Sequence, residues 1–230
     1  MWLIKSSIGR KLVMSITGLF LIMFLLFHAS MNVAAVFSEE AYNMICEFLG
    51  ANWYAVAATG VLAAGFIIHI IYACWLTLQN RKARGGDRYA VNVRPKSVEW
   101  ASQNMFVIGL VVIGFLALHF LQFWYHMMFA ELAEKVGINV SLPDGIASTH
   151  DGYAFIEYYF AQPLVVALYL IWYAAIWFHL THGFWSAMQT IGINSGLWMK
   201  RWITASNIFA TLIMLCFAFV TIFFYLKSIM

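Results

Sequence analysis

Five long stretches of this chain carry no Asp, Glu, Lys or Arg: residues 12–38, 48–80, 100–130, 158–199 and 202–226. About 20 apolar residues make a helix long enough to cross the hydrocarbon of a bilayer, and every stretch exceeds that. The fourth is too long for one helix, but its end, Gln189-Thr190-Ile191-Gly192-Ile193-Asn194-Ser195-Gly196, reads as a polar, glycine-bearing turn. The expected fold class is an all-α integral membrane protein with five transmembrane helices. They are expected near 12–37, 53–79, 101–129, 159–188 and 203–227 in a single membrane domain, 1–230. Composition agrees, since 63% of residues are apolar and 10% charged, more oily surface than one water-soluble core can hide. A net charge of +3 with 18% aromatic residues also excludes a disordered chain and a nucleic-acid binder.

The sparse charges orient the helices, because short cytoplasmic loops collect Lys and Arg. Lys5, Arg10 and Lys11 precede the first helix; Arg81, Lys82, Arg84, Arg88, Arg94 and Lys96, with Asp87 and Glu99, follow the second; Lys200 and Arg201 follow the fourth. Glu39, Glu40, Glu47, Glu131, Glu134, Asp144, Asp151 and Glu157 fall on the other side, with Lys135 and Lys227. The expected topology is a multi-pass membrane protein, N-terminus cytoplasmic and C-terminus outside. A cleaved signal peptide is the competing reading of the first helix, but its apolar run is well beyond the 7 to 15 residues of a signal sequence. Trp53-Tyr54, Trp100, Trp124-Tyr125, Tyr158-Tyr159, Trp185 and Trp202 fit interfacial belts. Residues 130–158 form the one longer connection, enough for a small outer cap.

No acid or base lies within the spans, which removes the usual signature of pumps and carriers built on buried charge. Histidine remains: His28, His69, His119, His179 and His182 lie inside helices, His126 near an outer end and His150 in the outer connection. Neutral imidazole is the commonest metal-ligating side chain, and in bundles such ligands project inward from facing helices. Depth discriminates among them. His28 and His119 each lie about four residues past the centre of an outward-running helix, roughly 6 Å toward the outer face. His69 and His179 lie about three and five residues past the centres of inward-running helices, roughly 5 to 8 Å toward the cytoplasm. Two pairs on the first four helices, roughly 12 Å apart along the membrane normal, are what two bis-histidine haems require. The bland alternative is histidine as hydrogen-bonded glue between helices. His182, three residues beyond His179, shares its face, and on spacing either reaches a haem; His182 also suits a haem propionate or a quinone head.

The chain resembles the di-haem cytochrome b subunit of succinate dehydrogenase and fumarate reductase, in its single-chain, five-helix form. The resemblance covers essentially the whole sequence. Phe24-Leu25-Leu26-Phe27-His28-Ala29-Ser30-Met31-Asn32, Ile67-Ile68-His69-Ile70-Ile71-Tyr72 and Leu118-His119-Phe120 carry it, and most specifically Phe178-His179-Leu180-Thr181-His182-Gly183-Phe184-Trp185-Ser186. In that last stretch the family's ligand precedes a glycine by four residues, which selects His179 and leaves His182 a neighbour. The resemblance implies an outer haem b on His28 and His119 and an inner one on His69 and His179. It implies partners on the cytoplasmic face, a flavoprotein and an iron–sulfur subunit, with electrons exchanged between the latter and a quinone, menaquinone at the level of the family. This subunit would then be the electron-transferring, quinone-reacting part of the enzyme. Relatives use an outer carboxylate after the first helix for quinone, for which Glu39, Glu40 and Glu47 are candidates. Some carry a Glu two residues before the fourth-helix ligand as part of a proton path; Trp177 stands there in this chain.

Two other functions compete: a cytochrome b of a quinone-linked hydrogenase or formate dehydrogenase, against which the stretch around His179 argues, and a haem-free transporter or assembly protein with structural histidines. Cys46, Cys74 and Cys216 share no metal-ligand spacing, and the twelve methionines suit packing and lipid contact. Gly18, Gly65 and Gly183 allow close approach of a helix or a macrocycle. Gly85-Gly86 marks a turn without phosphate-loop context.

Overall fold

A computed structural model describes residues 6–84 and 100–230. Of these residues 86% are helical, and none is in a strand. Five helices are long and apolar enough to span a membrane: α1 (Ser7–Phe37), α3 (Trp53–Arg84), α4 (Trp100–Glu134), α6 (Pro163–Ile191) and α7 (Gly196–Ile229). Two short helices, α2 (Glu39–Phe48) and α5 (Gly152–Phe160), lie together at one end. The protein is thus an all-α, multi-pass membrane protein. Lys5, Asp87, Arg88, Arg94, Lys96, Glu99 and the Gly85-Gly86 turn lie outside the described residues.

Local chemistry sets the helix ends. Ser6 starts α1 by accepting from Gly9 N–H at 2.9 Å, Ser38 caps α2 through Ala41 N–H at 3.1 Å, and Asp151 caps α5 through Ala154 N–H at 3.1 Å. Pro163 opens α6, where its missing N–H costs nothing. Gly192, at φ +99°, stops it in the left-handed conformation glycine adopts without strain. The spans overrun the charge-free stretches: α1 includes Arg10 and Lys11, and α7 includes Lys200 and Arg201. Long basic side chains let a helix continue past the bilayer edge, and Arg10 does so by lying over the Trp75 ring at 5.1 Å.

α6 is the central helix, packed on α1, α4 and α7. In its most apolar window 44% of residues are buried, against 6% for α3, which sits at the periphery on α1. Val166, Tyr169, Tyr173 and Ile176 of α6 meet Ala210, Ile213, Met214 and Phe224 of α7 in one apolar core.

α4 changes character part-way. Trp100–His119 is α-helical, Phe120–Phe129 is π-helical, and Ala130–Glu134 returns to α. Ten residues with i→i+5 bonding form an unusually long run, since π segments are mostly single turns, often at functional sites. This one begins directly after His119.

The end bearing α2 and α5 is a clasped cap. Asn43 of α2 donates to Asp151 Oδ1 at 3.0 Å and accepts from Tyr153 N–H at 2.9 Å. Glu131, counted from sequence among the loop acids, is buried; it accepts from Ala51 N–H at 2.7 Å, while Lys135 Nζ bonds the Ala51 carbonyl. Gly50 permits that approach, for a Cβ there would stand 2.6 Å from Glu131 Oε2. Lys227, near the end of α7, is tied to this cap by Glu157 Oε1 at 2.6 Å and the Tyr153 hydroxyl at 2.8 Å.

Candidate metal centre: two histidine pairs

The structure brings four of the five intramembrane histidines together in twos. His28 on α1 and His119 on α4 have ring centroids 5.9 Å apart, with planes crossing at 78°. His69 on α3 and His179 on α6 stand 6.3 Å apart, at 67°. These are the combinations that depth selects in the sequence. All four rings are half-buried.

The spacing bears on what the pairs can do. An N–H···N hydrogen bond between two imidazoles would draw their centroids to about 5 Å, and both pairs are wider. One metal bonded to a nitrogen of each ring at about 2 Å would place the centroids roughly 6 Å apart. Crossed planes are no obstacle, because each ring contains its own metal–nitrogen bond and turns about it. Among the described residues no three His, Cys, Asp or Glu side chains gather as a site for an ion held by protein alone. Two protein ligands suit an iron whose other four bonds come from a porphyrin, so the residues present fit haem. His179 Nδ1 adds to this, being buried with no hydrogen-bond partner, a condition that costs about 1–3 kcal/mol.

The two pairs have different walls. His28 stacks on Phe24 at 5.3 Å and meets Phe217 of α7 at 5.6 Å. His119 is ringed by Phe123, Tyr169 and Trp172 at 5.3 to 6.3 Å. The other pair lies over glycines: a Cβ on Gly18 of α1 would be 3.3 Å from His69 Cε1, and one on Gly109 of α4 would be 3.8 Å from His179 Cε1. Gly65 faces the Phe20 ring instead, and a Cβ on Gly183 would meet no atom within 4 Å. Gly18 was legible as a close-approach residue, whereas a methyl group on Gly109 would make only an ordinary van der Waals contact.

Polar neighbours hold three of the four rings. His69 Nδ1 is 3.1 Å from Thr17 Oγ1, His119 Nδ1 is 3.3 Å from the Tyr169 hydroxyl, and His28 Nδ1 is 3.4 Å from Asn32 Nδ2. Asn32 makes its shorter bond to the His28 carbonyl, at 2.8 Å, and accepts from the Tyr42 hydroxyl at 3.3 Å. Sequence reasoning missed Thr17, Tyr169 and Gln122, the last accepting from Tyr169 at 2.8 Å.

The remaining sequence candidates separate. His182 packs edge-on against Trp185 at 4.7 Å, one turn from His179. Trp177 turns toward α7 and donates to Thr211 Oγ1 at 2.9 Å. His126 lies 3.2 Å from the Gln122 carbonyl and 3.3 Å from the Tyr159 hydroxyl, which burial pushes up to about 12. Glu39, Glu40 and Glu47 are exposed, and with Asp151 and His150 they line a cleft of about 620 Å³ against the cap. An apolar groove of about 410 Å³, lined by Phe27, Met31, Ile45 and Phe48 among others, adjoins it through Met44. Cys46, Cys74 and Cys216 are free thiols. Cys46 packs at the α2–α5 contact, where a Cβ on Gly152 would overlap its sulfur.

No protein-family model, curated protein or solved structure matches this chain, so the resemblance drawn above rests on its motifs alone.

Proposed function

We propose that this chain is the di-haem cytochrome b membrane anchor of a succinate:quinone oxidoreductase, working as succinate dehydrogenase or fumarate reductase. The observation that carries the reading is the pair of crossed imidazoles at metal-bridging separation, occurring twice, on four different helices. In this reading His28 and His119 hold one haem b and His69 and His179 the other. With two histidines holding each, the haems would supply one-electron transfer rather than oxygen binding.

The chain's own residues would do the rest. The aromatic wall around His28 and His119 would shield a haem held there from water. Gly18 lets α1 approach the His69 ring. The cleft at the cap has the amphiphilic character a quinone asks for, with carboxylates of Glu39, Glu40 and Glu47 beside an apolar groove for a prenyl tail. Those carboxylates and the His150 imidazole would exchange protons with the quinone oxygens. Menaquinone is the quinone that the family resemblance favours. Basic residues at the opposite end suit a cytoplasmic face on which an iron–sulfur subunit and its flavoprotein dock, in a bacterial cytoplasmic membrane. Trp177, bonded to Thr211, supplies no carboxylate to a proton path at its position.

A reduced-minus-oxidised spectrum with a redox titration of the purified protein tests this. Two b-type haems are expected, and one or none would overturn the reading. Co-purification of an iron–sulfur and a flavin subunit, rather than a hydrogenase or formate dehydrogenase, is the second expected result.

A further inference from the structure

Two hydroxyls far apart in the sequence make the same contact. Thr17 Oγ1 donates to the Val13 carbonyl at 2.9 Å, with the Met14 carbonyl at 3.1 Å, and lies 3.1 Å from His69 Nδ1. The Tyr169 hydroxyl donates to Gln122 Oε1 at 2.8 Å and lies 3.3 Å from His119 Nδ1. A hydroxyl has one proton to give. In both places a carbonyl oxygen already takes it, so the oxygen offers the imidazole only a lone pair, and only an N–H can meet that. A neutral imidazole has one N–H; with Nδ1 protonated, the free lone pair is on Nε2.

We propose that Thr17 and Tyr169 are positioning residues that lock His69 and His119 in the Nδ1-protonated tautomer, one residue for each pair, making Nε2 the ligating nitrogen. The tautomer follows from the hydrogen bonds alone; its consequence for iron rests on the haem reading above. The two locks are built from different parts of the fold. Thr17 of α1 reaches across to α3, its proton turned back onto its own helix. Tyr169 of α6 reaches α4, where Gln122 in the π-helical segment receives its proton. An acceptor at Nδ1–H makes Nε2 a stronger donor, which favours oxidised metal. Removing it should therefore ease reduction by up to about tenfold, 59 mV for a one-electron couple.

The test is histidine-selective ¹⁵N NMR on the full-length protein, reduced so that any low-spin haem is diamagnetic, with a redox titration of the same samples. His69 and His119 should show protonated Nδ1. Thr17→Val should shift the Nδ1–H signal of His69 only and raise the potential of one haem; Tyr169→Phe should shift that of His119 only and raise the other. Thr17→Ser, which keeps the hydroxyl, should behave as wild type. Tyr173→Phe removes a hydroxyl on the same helix that bonds Thr221 Oγ1 at 2.9 Å, and it should change neither ring. Protonated Nε2 on His69 or His119 in the wild type overturns the proposal, and so do variants that leave both Nδ1–H signals and both potentials unchanged. Locked tautomers in a protein without haem would instead sink the functional reading and leave this one standing.

Discussion

Gly18 and His69 meet where α1 crosses α3, and a methyl group on Gly18 would stand 3.3 Å from His69 Cε1. That is closer than side chains settle without giving ground, so the imidazole would shift by a few tenths of an ångström. Gly18→Ala should reduce occupancy of the haem proposed between His69 and His179, and Gly18→Leu should abolish it, measured as haem per protein. Gly60→Ala and Gly114→Ala meet no atom within 4 Å. They should instead gain about 0.5–1 kcal/mol of helix stability with both haems kept.

Under the proposed ligation, single histidine replacements should be selective. His69→Ala and His179→Ala are expected to remove one haem, and His28→Ala and His119→Ala the other, as two spectrally distinct losses in redox titrations. Loss of the same haem from the His69 and His119 variants would overturn the pairing.

The buried carboxylate of Glu131 holds the Ala51 amide at 2.7 Å. Glu131→Ala leaves that N–H without its acceptor and opens a void beneath Gly50, which should cost about 1–3 kcal/mol. Because the loss is confined to the cap, limited proteolysis should cut near residues 49–52 before the spans unfold.

Burial pushes the Cys46 thiol up to about 11, with the Glu131 and Asp151 charges adding to it. A thiol raised in this way stays protonated in the folded cap. Its contribution to stability is therefore present below the ordinary thiol range near pH 9 and is lost as pH rises toward 11. Alkylation of Cys46 should be slow at pH 8 in folded protein and accelerate steeply between pH 9 and 11. After denaturation it should react at the rate of an ordinary thiol, and fast labelling of folded protein at pH 8 would contradict the burial.

The five spans were legible because a charge inside hydrocarbon is costly, so absence of charge marks where a helix can lie. The same signal misplaced helix ends. It put the start of α1 at residue 12 and of the last span at 203, where the helices begin at Ser7 and Gly196. Arg10 shows why: charge marks the edge of the bilayer, and the backbone continues beyond it. The short helices α2 and α5 were not expected as elements, since caps such as Ser38 and Asp151 are too common in loops to single out. Depth could combine the four histidines because rise per residue is a constant of the α-helix. Contacts such as Thr17 with His69 also depend on rotation about the helix axis and on which helices touch, and neither is written locally in a chain whose spans are apolar all round.

The π-helical run of Phe120–Phe129 gives α4 a property the other spans lack. Its wider turns hold surplus residues, so deletion of one residue there can be absorbed by local rewinding to α-helix, with the flanking segments left in register. The same deletion in α6 would swing every later side chain about the axis. Proteins built to this plan should therefore tolerate length variation within the span of α4 just after its histidine, a place where alignments by hydropathy alone would put a false gap in the following loop.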